Sequence, residues 1–375
     1  MDPTQLIGPP SPLGYPAPYW FLVLFKVLGF TLHLGPMNLW YAGTILAMLL
    51  HWRGREHARR LSARLMNQMP IILSLGINFG IVPLLFLRVA YYRVFYPATI
   101  LMAWPWFSIV LLLTLAYYGV YLYVIGLRRA RLTPLKQVAG WVAALSFLAI
   151  GFLFPNGLSL MAHVGEWPAL WQATSVAGAP TGMALNTADS TLWPRWLMMF
   201  GLALTTTAAY TVMDAGLFAG REGESYRRWV PGFALKLYAL GVAWFMLTGA
   251  WLVLGTWLAR ERQMLFSGPL GTLTGVAILS FALPGLLIRV QRRGVTWTLA
   301  LLTGLAQFGV LAQFAIVRQV VQNVELSPFL DVTAEPVHTQ WSTLLLFLGL
   351  FVVGLGVVIW MLSKAVAAER RPVAP

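Results

Sequence analysis

The sequence contains no cysteine and has little charge. Only 10% of its 375 residues are charged, whereas the average for soluble proteins is about 25%. The lack of cysteine excludes disulfides, thiolate metal sites, cysteine nucleophiles and haem attached through thioether bonds. The sequence also has no P-loop, no GxSxG motif and no HExxH motif, so it gives no support to the common soluble kinase, hydrolase or zinc-protease chemistries.

Apolar residues are in excess and make up 59% of the chain, in blocks along its whole length. Because a transmembrane helix needs about 20 mainly apolar residues, this pattern predicts an all-α, polytopic membrane protein. We predict an extended proline-rich segment over 1–18, a single transmembrane domain over 19–364 and a cytoplasmic tail over 365–375. The predicted spans are 19–51, 69–92, 101–127, 135–161, 195–219, 231–259, 270–288, 295–318 and 342–364.

The distribution of positive charge predicts the orientation. Most of the 26 Lys and Arg residues fall in alternate connections between the spans, and such connections are normally cytoplasmic. The N-terminus is therefore expected outside and the C-terminus in the cytoplasm, for a multi-pass protein of the cell inner membrane. Contact with anionic membrane lipids accounts for the net charge of +14 better than binding of nucleic acid does.

Several polar residues fall inside the predicted spans, where each needs a partner. Lys26 and Lys236 are expected to extend their side chains to the membrane surface. Asp214, near the cytoplasmic end of its span, is expected to pair with a loop arginine such as Arg221. The first span is too long for a straight crossing, and Pro36, which has no N–H to donate, predicts a kink.

Two further motifs concern packing between spans. Gly76 and Gly80 have the spacing of closely packed membrane helices, and Asn78 between them must find a hydrogen-bond partner. The consecutive threonines of the fifth span, 205–207, are expected to bond back to carbonyls of their own helix.

His33 is the one histidine well inside a predicted span. A neutral imidazole is a good ligand for haem iron. Gly35 would let another group approach closely, and Pro36 leaves the carbonyl of Leu32 without its usual donor. The alternative is a histidine that only hydrogen-bonds within the helix bundle. The other four histidines lack the spacing of a metal site.

Several local patterns, taken in order along the chain, resemble subunit I of the cytochrome bd quinol oxidases. That family also has nine spans, with the N-terminus outside and the C-terminus inside. The similar positions are His33 with Pro36, Gly76-Ile77-Asn78-Phe79, Pro105, Asn156-Gly157 and the stretch from Gln313 to Gln319. The chain thus looks like a divergent relative of this subunit.

The resemblance implies a haem-binding role for His33, as the ligand of haem iron. The second haem-ligating histidine of the family falls here at Met198 and Met199, which we include as candidate cofactor ligands because methionine can also bind haem iron. The glutamate ligand of the eighth helix is replaced near Arg318 or Gln319.

The sequence departs from the family in other places too. Its two proton-relay glutamates in the third helix have no counterpart, since 101–127 contains no acid. Met264 is the nearest residue to the methionine ligand of the seventh helix. The long quinol-oxidising loop is reduced to a short connection.

These observations predict an integral membrane subunit of a respiratory-type electron-transfer complex, with a single haem b or a quinone as cofactor and without covalently attached haem. Its catalytic residues cannot be assigned from the sequence. As an enzyme it would be a subunit of a quinol-linked oxidoreductase, not a self-sufficient oxygen reductase. The expected partners are other membrane redox subunits, including a multihaem cytochrome c, and membrane lipids, but not nucleic acid. The alternatives are a haem-free anchor or scaffold for redox subunits and, less favoured, a transporter.

Overall fold

A computed structural model describes residues 2–370, apart from the side chains of 365, 366 and 368–370. Within these residues nine helices are long and apolar enough to cross a membrane, which confirms the all-α, nine-span prediction for a multi-pass membrane protein. They are α1 (Tyr19–Arg53), α2 (Glu56–Ala90), α3 (Ala103–Arg128), α4 (Pro134–Ala162), α5 (Leu192–Leu217), α6 (Glu224–Thr256), α7 (Gly268–Arg293), α8 (Trp297–Leu326) and α9 (Trp341–Arg370). We call the end of the bundle at which α1 begins the outer end.

The first span contains the irregularity that Pro36 predicts. A regular helix over Tyr19–Asn38 is followed by a widened, π-helical turn over Leu39–Gly43, and a regular helix resumes over Thr44–Arg53. Because proline offers no backbone donor, the helix has to change its hydrogen-bond pattern nearby. The predicted kink therefore takes the form of a widened turn just after Pro36.

The second span begins earlier than predicted. The sequence placed it at 69–92, whereas α2 runs over Glu56–Ala90. Its first three turns bury Ala58, Leu61 and Leu65 on one face and carry arginines on the other. A search for continuous apolar residues misses such an amphipathic segment, because only its buried face is apolar. Arg59, expected in a loop, accordingly lies on a helix.

Small residues let the helices approach closely. A Cβ on Gly201 of α5 would lie 2.7 Å from the backbone nitrogen of Phe245 in α6, and a Cβ on Gly241 would lie 2.8 Å from that of Thr205. Only glycine permits this approach, which is typical of packing between membrane helices. The threonines at 205–207 hydrogen-bond to carbonyls of their own helix, as predicted.

The segment before α1 has little regular structure but is fixed on the outer end of the bundle. Tyr15 exchanges backbone hydrogen bonds with the segment that precedes α9, from its N–H to Pro336 at 2.7 Å and from His338 to its carbonyl at 2.8 Å. Its hydroxyl donates to the carbonyl of Ala90 at the end of α2. At the other terminus, α9 continues to Arg370 into the predicted tail, whose residues 371–375 lie outside the described part of the chain.

Candidate functional site

His33 turns its ring from the middle of α1 toward α2. Its Nδ1 lies 2.8 Å from the carbonyl oxygen of Gly76. A Cβ on Gly80 would lie 2.8 Å from Cε1 of the same ring, closer than real Cβ contacts, so glycine is needed there. The ring of Trp40 closes another side, edge to face, with 6.0 Å between ring centroids. The Gly76–Gly80 pair, predicted for close helix packing, therefore also positions the ring of His33: Gly76 accepts its hydrogen bond and Gly80 leaves space for it.

The hydrogen bond to Gly76 fixes the tautomer of His33. A carbonyl oxygen can only accept, so Nδ1 must carry the proton and donate it. Nε2 then has a free lone pair, and among residues 2–370 no hydrogen bond engages this atom. The side chain is partly buried and not sealed on all sides. Nδ1 therefore makes the hydrogen bond within the bundle that the alternative interpretation expected. Nε2 carries the free lone pair that a metal ligand needs.

The two candidate methionines lie on α5 and face other neighbours. Met198 Sδ lies 3.5 Å from the position of a Cβ on Gly249, so it faces α6, whereas His33 faces α2. Met199 packs against the main apolar core. In the described residues no group of three or more His, Asp or Glu is placed to hold a metal ion. The assembly of His33, Met198 and Met199 around one iron therefore remains a prediction.

Lys26 does not reach the membrane surface, and the predicted orientation of its side chain is wrong. The residue is only 5% exposed. Its Nζ donates to the side-chain carbonyls of Gln319 at 2.6 Å and Gln322 at 2.9 Å, both on α8. It also lies 4.2 Å from the centre of the Tyr91 ring, which is a cation–π contact. These partners hold the ammonium group inside the bundle.

These side chains belong to a larger hydrogen-bonded group at the outer ends of α1, α2 and α8. The outer polar network, as we call it, consists of Tyr19, Lys26, Tyr91, Gln319, Gln322 and Asn323. The hydroxyls of Tyr19 and Tyr91 are 2.8 Å apart. Since Lys26 follows Tyr19 by seven residues, the network reaches about 10 Å into the bundle.

Two arginines lie beside this network. Arg318 on α8 places its guanidinium carbon 4.9 Å from the centre of the Phe30 ring, and within residues 2–370 it makes no hydrogen bond or ion pair. Arg195, at the start of α5, forms an ion pair with Glu325 of α8. Of these two arginines, only Arg195 therefore has a carboxylate partner in the described part of the chain.

A second polar position lines a small cleft at the outer end. The cleft lies between the short helix Ala259–Phe266, α7 and α8. Its lining residues include Trp257, Met264 and two acidic residues, Glu261 and Glu325. Oε2 of Glu261 is buried and has no hydrogen-bond donor among the described residues. An acceptor without a donor in a mainly apolar cleft could take a hydroxyl group of a ligand.

At the opposite end of the bundle, Asp214 does not pair with Arg221. It pairs with Arg64, which comes from the amphipathic start of α2. Because that start was not expected to be helical, the sequence offered no reason to place Arg64 on this face. Gln68, one turn further along α2, also donates to Asp214 at 2.6 Å.

Contacts of Asp189 stabilise the outer connection between α4 and α5. His163 Nδ1 lies 3.0 Å from its Oδ2, Ser159 donates to the same oxygen, and the N–H of Thr191 donates to Oδ1 at 2.8 Å. Burial alone would raise the pKa of the Asp189 carboxyl, but His163, Ser159 and Thr191 together outweigh burial and hold that pKa well below its usual range.

Sequence reasoning missed the outer polar network, although it left a signal. Gln319 and Gln322 are three residues apart, so they share one face of α8, and a lysine at the same depth of α1 is a natural partner for two amide carbonyls. Glu261 was missed because it lies in a connection where an acid is unremarkable.

The comparisons with known proteins concern the fold. No family model matches the chain, and no curated protein matches it. Among solved structures the chain is similar to "The structure of bd oxidase from Geobacillus thermodenitrificans", with a TM-score of 0.67 and 13% sequence identity. The match covers 96% of this chain and 100% of that chain. The molecule therefore has a bd-oxidase-like fold, as the sequence resemblance implied.

Proposed function

We propose that the chain is a membrane subunit of a respiratory-type electron-transfer complex and that it binds one b-type haem through His33. The observation that carries this proposal is the tautomer of His33. Its Nδ1 is committed to the carbonyl of Gly76, which leaves the lone pair of Nε2 for a metal. A ligating histidine typically uses its second nitrogen in this way, which orients the ring and makes the ligating nitrogen more basic.

The surrounding residues would each support a haem at this position. Gly80 leaves room for the ring of His33, and Trp40 limits its rotation. Leu34 and Trp40, which belong to the main apolar core, would limit the access of water. When bound, the haem would supply one-electron transfer between partner proteins or a quinol. We retain Met198 and Met199 as candidate cofactor ligands.

A reduced-minus-oxidised optical spectrum of the purified chain tests the haem. We expect a haem b band in the wild type and its loss in His33→Ala, with an unchanged yield of protein in the membrane. His51→Ala is the matched control, because His51 belongs to the same span but lies at its other end. The control should keep the band. A wild type without any haem band would contradict the proposal and favour the haem-free anchor.

A quinol site is the second proposal, and the observation that favours it is the unpartnered carboxylate oxygen of Glu261. A quinol must lose protons when it is oxidised, and a carboxylate at hydrogen-bond distance can accept one. In this proposal the outer cleft, which has a volume of about 10 Å³ with Trp257 and Met264 in its walls, opens further to take the edge of the quinol ring that carries a hydroxyl.

The rate at which a soluble quinol reduces the haem tests the role of Glu261 in the cleft. Glu261→Gln should slow this reduction, whereas Glu166→Gln, at an exposed outer position, should leave the rate unchanged. Equal rates in both variants would contradict a role for Glu261.

Partner subunits and location complete the proposal. A single haem subunit needs other proteins to deliver and accept electrons, so we propose membrane redox subunits and a multihaem cytochrome c as partners. The location proposed is the inner membrane of the cell, with the basic connections in the cytoplasm.

A further inference from the structure

The outer half of the bundle contains positive charge without a counter-ion. Lys26 is nearly fully buried, and its hydrogen-bond partners, Gln319 and Gln322, are neutral. Arg318 has no ion pair among the described residues, and the carboxylate of Glu325, two turns further along α8, is paired with Arg195. Two like charges without a carboxylate between them are costly in a membrane interior.

The same region also contains buried hydrogen-bond donors that have no acceptor among the described residues. Gln322 is 6% exposed, and its Nε2 is buried without an acceptor in the described residues. Nε of Arg195 is likewise buried and unpaired. The guanidinium group of Arg318 contacts the face of Phe30 and makes no hydrogen bond within residues 2–370. An anionic acceptor would satisfy these unpaired donors and would also compensate the charge of Arg318.

The position of these groups restricts the chemistry of the acceptor. Lys26 lies about two helical turns inside α1, and Phe25 and Phe30 flank it on the same helix. A molecule that reaches this depth needs an apolar body. A carboxylate suits the head group, because it offers several lone pairs to an arginine fork and carries less charge out of water than a phosphate dianion does.

We infer that Lys26, Arg318 and Gln322 form a binding site for the carboxylate of an amphiphilic molecule. The ligand places its head group between α1 and α8 and its apolar part toward the interior of the bundle. Two sources share this chemistry, a free fatty acid from the membrane and the propionates of a haem. The second source rests on the proposed function, whereas the first does not.

The fatty-acid source is tested with cis-parinaric acid, which is fluorescent, and its uncharged methyl ester, each titrated into the purified full-length chain. Wild type should bind the acid about tenfold more tightly than the ester, the size expected for hydrogen bonds to a charged group. Arg318→Gln should bind the acid as weakly as the ester. Lys236→Gln, which removes an exposed lysine of another span, should keep the preference.

A second variant guards against misfolding. Arg318→Lys keeps the positive charge and should keep most of the preference for the acid. Lys26→Gln should lose the preference for the acid. Its gel-filtration profile and its midpoint of thermal unfolding should match those of the wild type. Equal binding of acid and ester by wild type in both ligand tests, or an undiminished preference in both Arg318→Gln and Lys26→Gln, would overturn the site.

The haem source is tested with protohaem and its dimethyl ester, in which both propionates are blocked. Tighter binding of protohaem by wild type but not by Arg318→Gln would identify the propionates as the ligand. A preference for the free acid seen only with parinaric acid would identify a membrane fatty acid. A wild type that binds neither haem form would contradict the proposed function, and the fatty-acid test would then decide the carboxylate site by itself.

Discussion

Arg64 of α2 and Asp214 of α5 form a two-pronged ion pair. Nε of Arg64 lies 2.6 Å from Oδ2 of Asp214, and Nη2 lies 2.8 Å from Oδ1. The side chain of Asp214 is 2% exposed and that of Arg64 is 16% exposed. The pair joins the amphipathic start of α2 to the inner end of α5.

Breaking this pair should destabilise the protein. Asp214→Asn leaves a mostly buried guanidinium group without its main counter-ion, at a cost of about 3 kcal/mol. We expect the midpoint of thermal unfolding in detergent, measured at one heating rate, to fall by several degrees. Glu56→Gln is the control, because its pair with Arg60 is exposed on both sides and contributes no more than about 0.5 kcal/mol. Equal midpoints for the two variants would refute the assignment.

Acid should loosen the outer connection at Asp189. Its carboxyl has a lowered pKa in the folded chain, so the stabilisation is complete above the unfolded pKa of about 3.9 and is lost as the pH falls further. The unfolding midpoint of the wild type should therefore exceed that of Asp189→Asn at pH 6, and the difference should shrink toward pH 3. A difference that stays constant over this range would contradict the assigned role.

The orientation of the chain can be tested by labelling, because the protein has no native cysteine. The structure shows that Asp189 itself is buried, so the neighbouring Ser190 is the better outer position, and Arg55 between α1 and α2 is the inner one. Both are exposed. An impermeant thiol reagent added to intact cells should label Ser190→Cys and leave Arg55→Cys unlabelled. The reverse pattern would invert the predicted orientation.

Apolar windows were sufficient to predict nine spans, because each span must satisfy its own backbone inside the membrane. They failed at the start of α2, where a helix carries arginines on one face. Hydropathy measures the average over a turn and does not resolve its faces.

Side-chain pairing was the part that the sequence could not supply. Lys26 and Gln319 are 293 residues apart, and Arg64 and Asp214 are 150 apart. Such contacts depend on the rotation of each helix against its neighbours, which no local pattern determines. His33 could be selected as an isolated polar residue in a span, but its tautomer depends on the register of α1 against Gly76.

Oxygen reduction by the bd mechanism is not expected from this chain. Within α3 no acidic residue lies between 103 and 128 that could relay protons, and Arg318 and Gln319 stand where the resemblance places a glutamate ligand. The purified complex, with whatever partners it keeps, should show no chlorin-type haem band and no quinol-dependent uptake of oxygen. Detection of both would refute this prediction.

The central claim is that Nε2 of His33 ligates a haem iron, and the haem content of purified chains measures it most directly. The pyridine haemochrome assay should give about one haem b per wild-type chain and almost none for His33→Gly. Free imidazole should restore the haem in His33→Gly, since it can occupy the vacated ligand position. A wild-type chain without haem, or a His33→Gly chain that keeps its haem without added imidazole, would contradict the account.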